Sequence, residues 1–346
     1  MPCTEALIRE QLATVKYPGF SRDIVSFGLV KEVRVEGGNV TVQMAIATNE
    51  PRIPQAIKDE SEAALRALPD VANVRVLIDI QAPAQSPGAG ATVIQGVRHV
   101  LAIASGKGGV GKSTVAANLA VALAQTGARV GLCDCDIYGP SVALMFGGQD
   151  ERPYANEDEQ ILPIELHGVK LMSMGFLLDH DSPAILRGPM VTRYTQQFLR
   201  QVFWGELDFL LLDLPPGTGD IQLTIVQTVA LAGALIVTTP QEVALIDARK
   251  ASSMFSKVNV PVLGLVENMS YFVCPTDQTR YDIFGSGGGE KEARRLGVPL
   301  LGQIPIDIAA RAAGDEGRPI VAADRDNAAS AAFQKIARQL RDFLPT

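Results

Sequence analysis

Cysteine, histidine and aromatic residues are scarce in this chain of 346 residues, with four Cys, three His and 5% aromatics. Cys3, Cys133, Cys135 and Cys274 show no Cys-x-x-Cys spacing, which excludes a self-contained zinc site and leaves no disulfide framework. His99, His167 and His180 form no pair at ligand spacing, so they read as structural or solvated side chains. Long apolar runs are missing too. Nothing reaches the roughly 18 apolar residues of a membrane span, and Met1 to Glu10 is polar and charged where a signal peptide is apolar. Positive charge is also short: 31 Lys and Arg against 38 Asp and Glu leave a net charge of −7. That balance excludes a general nucleic-acid footprint and argues against stable membrane association. The expectation is a reduced, cytoplasmic protein. The chain is rich in apolar material instead, 47% of its residues. That supports a sizeable core and, at this length, about two domains.

The first 81 residues have their own grammar. Leu7, Ile8, Leu12 and Val15 space a helix over Thr4 to Lys16. Alternating runs Ile24 to Val35 and Val40 to Ala47 flank Gly37-Gly38-Asn39, a hairpin turn. A helix over Pro54 to Leu68 and a strand over Val74 to Ile80 complete a small α+β domain. Residues 82–96 read as a linker, because Ala82 to Gly90 is small, Pro- and Gly-rich and without periodicity. From 97 to 346 short apolar strands alternate with helical patterns: Val100 to Ala104, Arg129 to Cys133, Phe209 to Asp213, Ala234 to Thr238, Val262 to Glu267 and Leu300 to Ile304. Strands apolar along their whole length, separated by helices, predict an α/β domain with a parallel sheet covered on both faces.

One segment carries a specific chemistry. Gly106-Lys107-Gly108-Gly109-Val110-Gly111-Lys112-Ser113 fits G-x-x-x-x-G-K-[ST], between a predicted strand and the predicted helix Lys112 to Thr126. Its glycines let successive backbone N–H groups converge on phosphate oxygens, at the positive end of a helix dipole. Lys112 then reaches the β- and γ-phosphates, Ser113 ligates Mg²⁺ and Thr114 lies near the α-phosphate of ATP. Two acidic loops follow strands whose carboxyl ends face the same crevice: Asp134-Cys135-Asp136 and Asp213-Leu214-Pro215-Pro216-Gly217. Asp213 is placed to hold Mg²⁺ through water, Asp136 to orient the attacking water, and Asp220 to cap the next helix. Cys133 and Cys135 end a buried strand and read as small apolar residues.

Lys107, a second lysine inside the loop, resembles the deviant Walker motif of the MinD, ParA and nitrogenase-iron-protein group of dimeric ATPases. The resemblance implies a homodimer in which this lysine reaches the partner's nucleotide. Nearly the whole chain is similar to the Mrp/ApbC family of P-loop ATPases, which carry iron–sulfur clusters. Besides the loops above, the resemblance rests on Arg22-Asp23-Ile24-Val25-Ser26-Phe27-Gly28, Arg187-Gly188-Pro189-Met190, Glu267-Asn268-Met269-Ser270-Tyr271-Phe272 and Phe284-Gly285-Ser286-Gly287-Gly288-Gly289. It implies a MinD-like P-loop domain behind the small domain, slow Mg-dependent ATP hydrolysis, and transfer of clusters between scaffold and apo-proteins. It further implies that Asn268 touches adenine and that Ile304-Pro305-Ile306-Asp307 closes that pocket. Many relatives carry Cys-Pro-x-Cys after the Tyr-Phe pair, for a [4Fe–4S] cluster at the dimer interface. Here the run is Cys274-Pro275-Thr276-Asp277, and Thr48-Asn49-Glu50-Pro51 lacks a cysteine found in some relatives. The resemblance leaves Cys274 as cluster ligand, with Asp277, a partner protein or a small thiol to supply the rest; on its own residues Cys274 also reads as a free thiol in a loop. A second reading is a MinD/ParA-like switch that dimerises with ATP to sit on a membrane or partner. Its support is an apolar stripe near the C-terminus, Phe333, Ile336, Leu340 and Phe343, flanked by Lys335, Arg338 and Arg341. The same stripe also suits a last helix packed on the sheet.

Overall fold

The computed structural model describes residues 4–16, 23–25, 29–47, 52–68, 70–81, 92–177 and 188–344. Cys3, His180, Arg187, the stretch Thr48 to Pro51, most of Arg22 to Gly28 and the linker stretch Ala82 to Gly90 lie outside them. The chain divides into two compact units, Met1–Ser86 and Pro87–Thr346.

In the first unit, α1 (Glu5–Leu12), β1 (Val30–Glu36), β2 (Asn39–Ala47), α2 (Arg52–Arg66) and β3 (Asn73–Gln81) follow the predicted order. The sheet order is β1-β2-β3, with β1 antiparallel and β3 parallel to β2. Gly37 and Gly38 have φ of 52° and 86°, the backbone that a two-residue hairpin turn demands and that side chains resist. The first strand starts later than its alternation suggests. The Ile24 N–H bonds Val15 O and its carbonyl accepts from Leu29 N, so Ile24 joins the core from a turn.

The second unit is built on an eight-stranded sheet. Its elements are β4 (Val97–Ala104), α3 (Lys112–Gln125), β5 (Val130–Asp134), α4 (Val142–Met145), β6 (Ile164–Leu166), β7 (Val169–Met172), α5 (Gly188–Gln201), β8 (Leu207–Asp213) and α6 (Asp220–Thr228). They continue with β9 (Gly233–Thr238), α7 (Glu242–Lys257), β10 (Val262–Glu267), β11 (Phe272–Val273), β12 (Arg280–Tyr281), α8 (Gly288–Leu296), β13 (Leu300–Gln303), α9 (Ile308–Asp315), α10 (Ile320–Ala323) and α11 (Ala328–Phe343). The order is β13-β10-β9-β4-β8-β5-β7-β6, parallel except for the β6–β7 edge pair. β11 and β12 form a separate small hairpin.

Continuous apolar strands serve two cores at once. On β4 and β8, Leu101, Ile103, Phe209 and Leu211 pack with α3 and α11, whereas Val100, Ala102, Leu210 and Leu212 pack with α5 and α6. The β6–β7 pair was not foreseen. It turns through His167 and Gly168 at φ 51° and 74°, and a histidine in that conformation carries no strong turn signal. Asp220 does not cap α6 as expected: it is the first helical residue, and Gly219 holds the cap position without a side-chain bond. Its carboxylate still favours the helix dipole from the first turn.

Phe333, Ile336 and Leu340 of the C-terminal stripe are buried in the core shared with α3, while Phe343 is 50% exposed. The stripe is therefore internal packing for most of its length. Among the described residues no helix is long and apolar enough to cross a membrane. Phe333→Ala should destabilise the second unit by about 3–5 kcal/mol through the cavity it leaves. Phe343→Ala should stay within about 0.5 kcal/mol, and urea unfolding of the two variants checks both values.

Candidate functional site

The loop from Ser105 to Gly111 leaves the carboxyl end of β4 and enters α3. Gly111 holds the N-cap position of α3 in the left-handed region, φ 76° and ψ 28°, and Gly109 has φ 81°. Around Gly109 there is open space, as a backbone cradle needs, but Gly106 is pinned. A Cβ at Gly106 would stand 2.0 Å from the carbonyl oxygen of Asp247 in α7. Only glycine lets this loop lie so close to the neighbouring helix. Ser105 Oγ donates to Lys107 O at 2.9 Å, and its own carbonyl accepts from Gly217 N, which ties the cradle to the second acidic loop.

Beneath the cradle, Lys112 and Asp213 meet. Asp213 ends β8 in register with Ile103 of β4, and Lys112 opens α3, so sheet and helix deliver the two charges to one point. Both are buried, and Lys112 Nζ pairs with Asp213 Oδ1. Lys112 Nζ also lies 3.2 Å from Ser113 Oγ. The second carboxylate oxygen, Asp213 Oδ2, is buried without a hydrogen bond of its own, although the neighbouring Ser113 hydroxyl also bears on this carboxyl. An acceptor abandoned in the interior is costly unless something else bonds it. A hard cation or its water shell suits that oxygen, so the donor set fits Mg²⁺ beside a triphosphate. Burial holds the Asp213 carboxyl above its ordinary range, against the opposing pull of Lys112.

A residue that the sequence reading passed over organises the other acidic loop. Asp134 sits beside Asp213 in the β5–β8 register and is 1% exposed. Its Oδ2 accepts from Ser141 N (3.0 Å), Val142 N (3.1 Å) and Ser173 Oγ (3.0 Å), and its Oδ1 from Asp136 N (3.1 Å). These bonds fold the loop 135–141 back over its own origin and hold half-buried Asp136 in place. Asp136 Oδ1 in turn accepts from Gly139 N at 3.3 Å. The available signal was a carboxylate closing an otherwise apolar strand, a costly position unless donors surround it. Burial, reinforced by the neighbouring Asp213 charge, pushes Asp134 up to about 7. Cys133 and Cys135 face the core behind it with sulfurs 3.9 Å apart; both are free thiols. Hydrogen bonding to Cys133, together with burial, pushes the Cys135 thiol up.

The third wall follows β10. Asn268 is buried, donates Nδ2 to Val110 O at 2.9 Å, and its backbone N bonds Thr238 O. Backbone bonds from Ser270 N to Ile304 O and from Ile306 N to Tyr271 O lace this wall to the buried Pro305. The same segment runs on into the β11–β12 hairpin, whose tip carries Cys274. Cys274 N donates to Thr279 O and Gln278 N to Cys274 O, making a closed turn. Asp277 Oδ1 accepts from Thr279 N at 3.0 Å, and the hydrogen bonds from Thr279 and Cys274 hold its carboxyl below the usual range. Arg280 stacks over Tyr271, 4.2 Å from the ring centre. Lys112, Ser113 and Asp213 thus converge, Asn268 touches the loop at Val110, and Lys107 is half-buried in the loop itself. Among the described residues no group of three or more His, Cys, Asp or Glu side chains could hold a metal.

A sheet that ends in such a cradle grips phosphate with its backbone and neutralises it from below, which is the design of the P-loop nucleotide-binding class. Within that class, residues 96–341 match the NUBPL iron-transfer P-loop NTPase family, and the chain belongs to it. Residues 5–78 match a family described as iron–sulfur cluster assembly protein. The iron–sulfur cluster carrier protein of Synechocystis is 46% identical over 95% of this chain and 94% of its own length. That of Deinococcus radiodurans is 47% identical over 97% and 94%. Among solved structures, an Archaeoglobus fulgidus nucleotide-binding protein in complex with ADP is 38% identical with a TM-score of 0.61, over 68% of this chain and 91% of that one. The cell division ATPase MinD of Pyrococcus furiosus is 25% identical with a TM-score of 0.55, over 71% and 99%.

The raised Asp134 carboxyl makes the stability of this unit depend on pH. Between the ordinary carboxylate range and about 7 the folded chain holds a proton that the unfolded chain has lost. Stability from this group is therefore present at low pH and lost as pH rises towards 7. Thermal unfolding without nucleotide should show that decline between pH 5 and about 7.5. Asp134→Asn should flatten it and speed amide exchange at Ser141 and Val142.

Proposed function

We propose that this chain binds Mg-ATP in the cradle, hydrolyses it as a homodimer, and carries an iron–sulfur cluster from scaffold to apo-proteins. One observation carries the proposal: a phosphate cradle backed by a buried carboxylate oxygen without a partner, in a chain whose full-length relatives are named iron–sulfur cluster carriers. The roles in this reading are as follows, those of Lys107 and Asn268 resting on the family resemblance. The N–H groups of Gly106 to Ser113 receive the phosphates, and Thr114 lies by the α-phosphate. Lys112 exchanges Asp213 for the β- and γ-phosphate oxygens, trading one anion for another at little desolvation cost. Ser113 and Asp213 would hold Mg²⁺, which when bound neutralises charge on the phosphate oxygens. Asp136, steadied by Asp134, orients the attacking water. Asn268 and Pro305 flank the base, and Lys107 serves the partner's nucleotide across the two-fold axis.

Action in trans has a direct test. Lys107→Ala and Asp136→Ala homodimers should each lose turnover, and mixing them should restore part of it, because one composite site then carries both groups. Heterodimers that form and stay inactive at every mixing ratio would remove Lys107 from this role.

The cargo site rests on Cys274. A two-fold axis doubles every ligand, so Cys274 and Asp277 offer two thiolates and two carboxylates per dimer. Carboxylate oxygen is a harder ligand than thiolate and holds cluster iron less firmly, which suits delivery. After anaerobic reconstitution with iron and sulfide, the parent should carry a labile cluster, Cys274→Ala none, and Asp277→Cys a more persistent one. Equal iron and sulfide in the parent and Cys274→Ala would exclude this hairpin from cargo binding.

A further inference from the structure

Glu267 closes β10, and none of the roles above uses it. Its side chain is fully buried. Three neutral donors from three separate segments meet it. Oε1 accepts from Ser270 Oγ at 2.6 Å and from Gln303 Nε2 of β13 at 2.8 Å; Oε2 accepts from Gly289 N in the first turn of α8 at 2.5 Å. Gly289 is what lets α8 come so near, because a Cβ there would lie 2.5 Å from Oε2. A buried carboxylate is tolerated only when so surrounded, and the arrangement then rigidifies whatever supplies the donors.

The segment that Glu267 holds needs holding. Met269 sits at φ 52°, a left-handed backbone that a long side chain adopts only under strain. Its neighbour Asn268 has no slack. A Cβ on Gly111 would stand 2.2 Å from Asn268 Nδ2, so wall and cradle are already in contact. Ser270 is bonded at both ends of this strained turn, by its hydroxyl to Glu267 and by its N–H to Ile304 O.

We propose that Glu267 is a positioning residue for the base side of the nucleotide site. Its carboxylate locks the Asn268–Ser270 turn against the cradle, so that grip on the nucleoside depends on it more than grip on the phosphates does. The proposal rests on the reading that Asn268 flanks the base. Tripolyphosphate, which has the phosphates and no base, separates the two.

Binding of Mg-ATP and of Mg-tripolyphosphate is measured by calorimetry on the full chain, for the parent, Glu267→Gln, Ser270→Ala and Asn268→Ala. Glu267→Gln turns an amide N–H₂ either toward Gly289 N, which can only donate, or toward Ser270 Oγ and Gln303, which must then both reorient to accept. It should weaken ATP about tenfold and tripolyphosphate less than about twofold, with the KM for ATP rising in step. Ser270→Ala should shift the same ratio in the same direction by less. The double variant should fall short of the product of the singles, because both act through one carboxylate. Parental ATP affinity in Glu267→Gln overturns the proposal, as does a parallel loss of ATP and tripolyphosphate. If Glu267→Gln does not fold, Ser270→Ala decides alone, and a parental ratio there overturns it. Asn268→Ala locates a failure. An unchanged ratio in that variant overturns the base reading and the proposal with it; a lowered ratio there beside a parental one in Glu267→Gln overturns the proposal only.

Discussion

The second unit depends on bringing a lysine and an aspartate together out of water at the end of an apolar sheet. Neither Lys112 nor Asp213 would stand buried alone, since an isolated interior charge costs far more than one hydrogen bond returns. Their meeting requires β4 and β8 to be neighbours in fixed register and α3 to start at one particular residue. Glycine spacing in the loop sets that start, and the two-faced apolar strands set the register. The strands, the helix and the loop are thus mutually constrained by a pair of opposite charges.

Around that pair the molecule uses one device repeatedly: a carboxylate at a strand end surrounded by donors. Asp134 gathers the loop that bears Asp136, and Glu267 gathers the turn that bears Asn268. Asp213 differs in keeping one oxygen unbonded. The contrast divides the three acids by task. Two are consumed in holding backbone, and the third retains capacity for something that is not protein.

How much of this was legible follows the range of the interactions. The glycine loop, Lys112, Ser113 and Asp213 could be read because the chemistry lies in a contiguous string or at the end of an unmistakably buried strand. The six apolar strands were found for the same reason, and their ends moved by only a few residues. Asp134 and Glu267 escaped because their donors come from positions far apart in the chain, such as Ser173 and Gly289, and no local spacing reports such meetings. The β6–β7 edge escaped because its strands are three and four residues long and turn through a histidine. Asp220 was misjudged by one position, where the helix starts from a glycine rather than from the carboxylate.

The two sulfurs of Cys133 and Cys135 point into the core with almost no accessible surface. Cargo of iron and sulfide is promiscuous toward any thiolate it meets, and a protein handling it risks scavenging its own freight. Sealing this pair behind the strand keeps both sulfurs from the solvent, and burial adds to the rise of the Cys135 thiol. Among the described residues that leaves Cys274, on its hairpin, as the thiol within reach of the solvent. What thiol chemistry this chain offers to the solvent is set by which sulfurs the fold withholds.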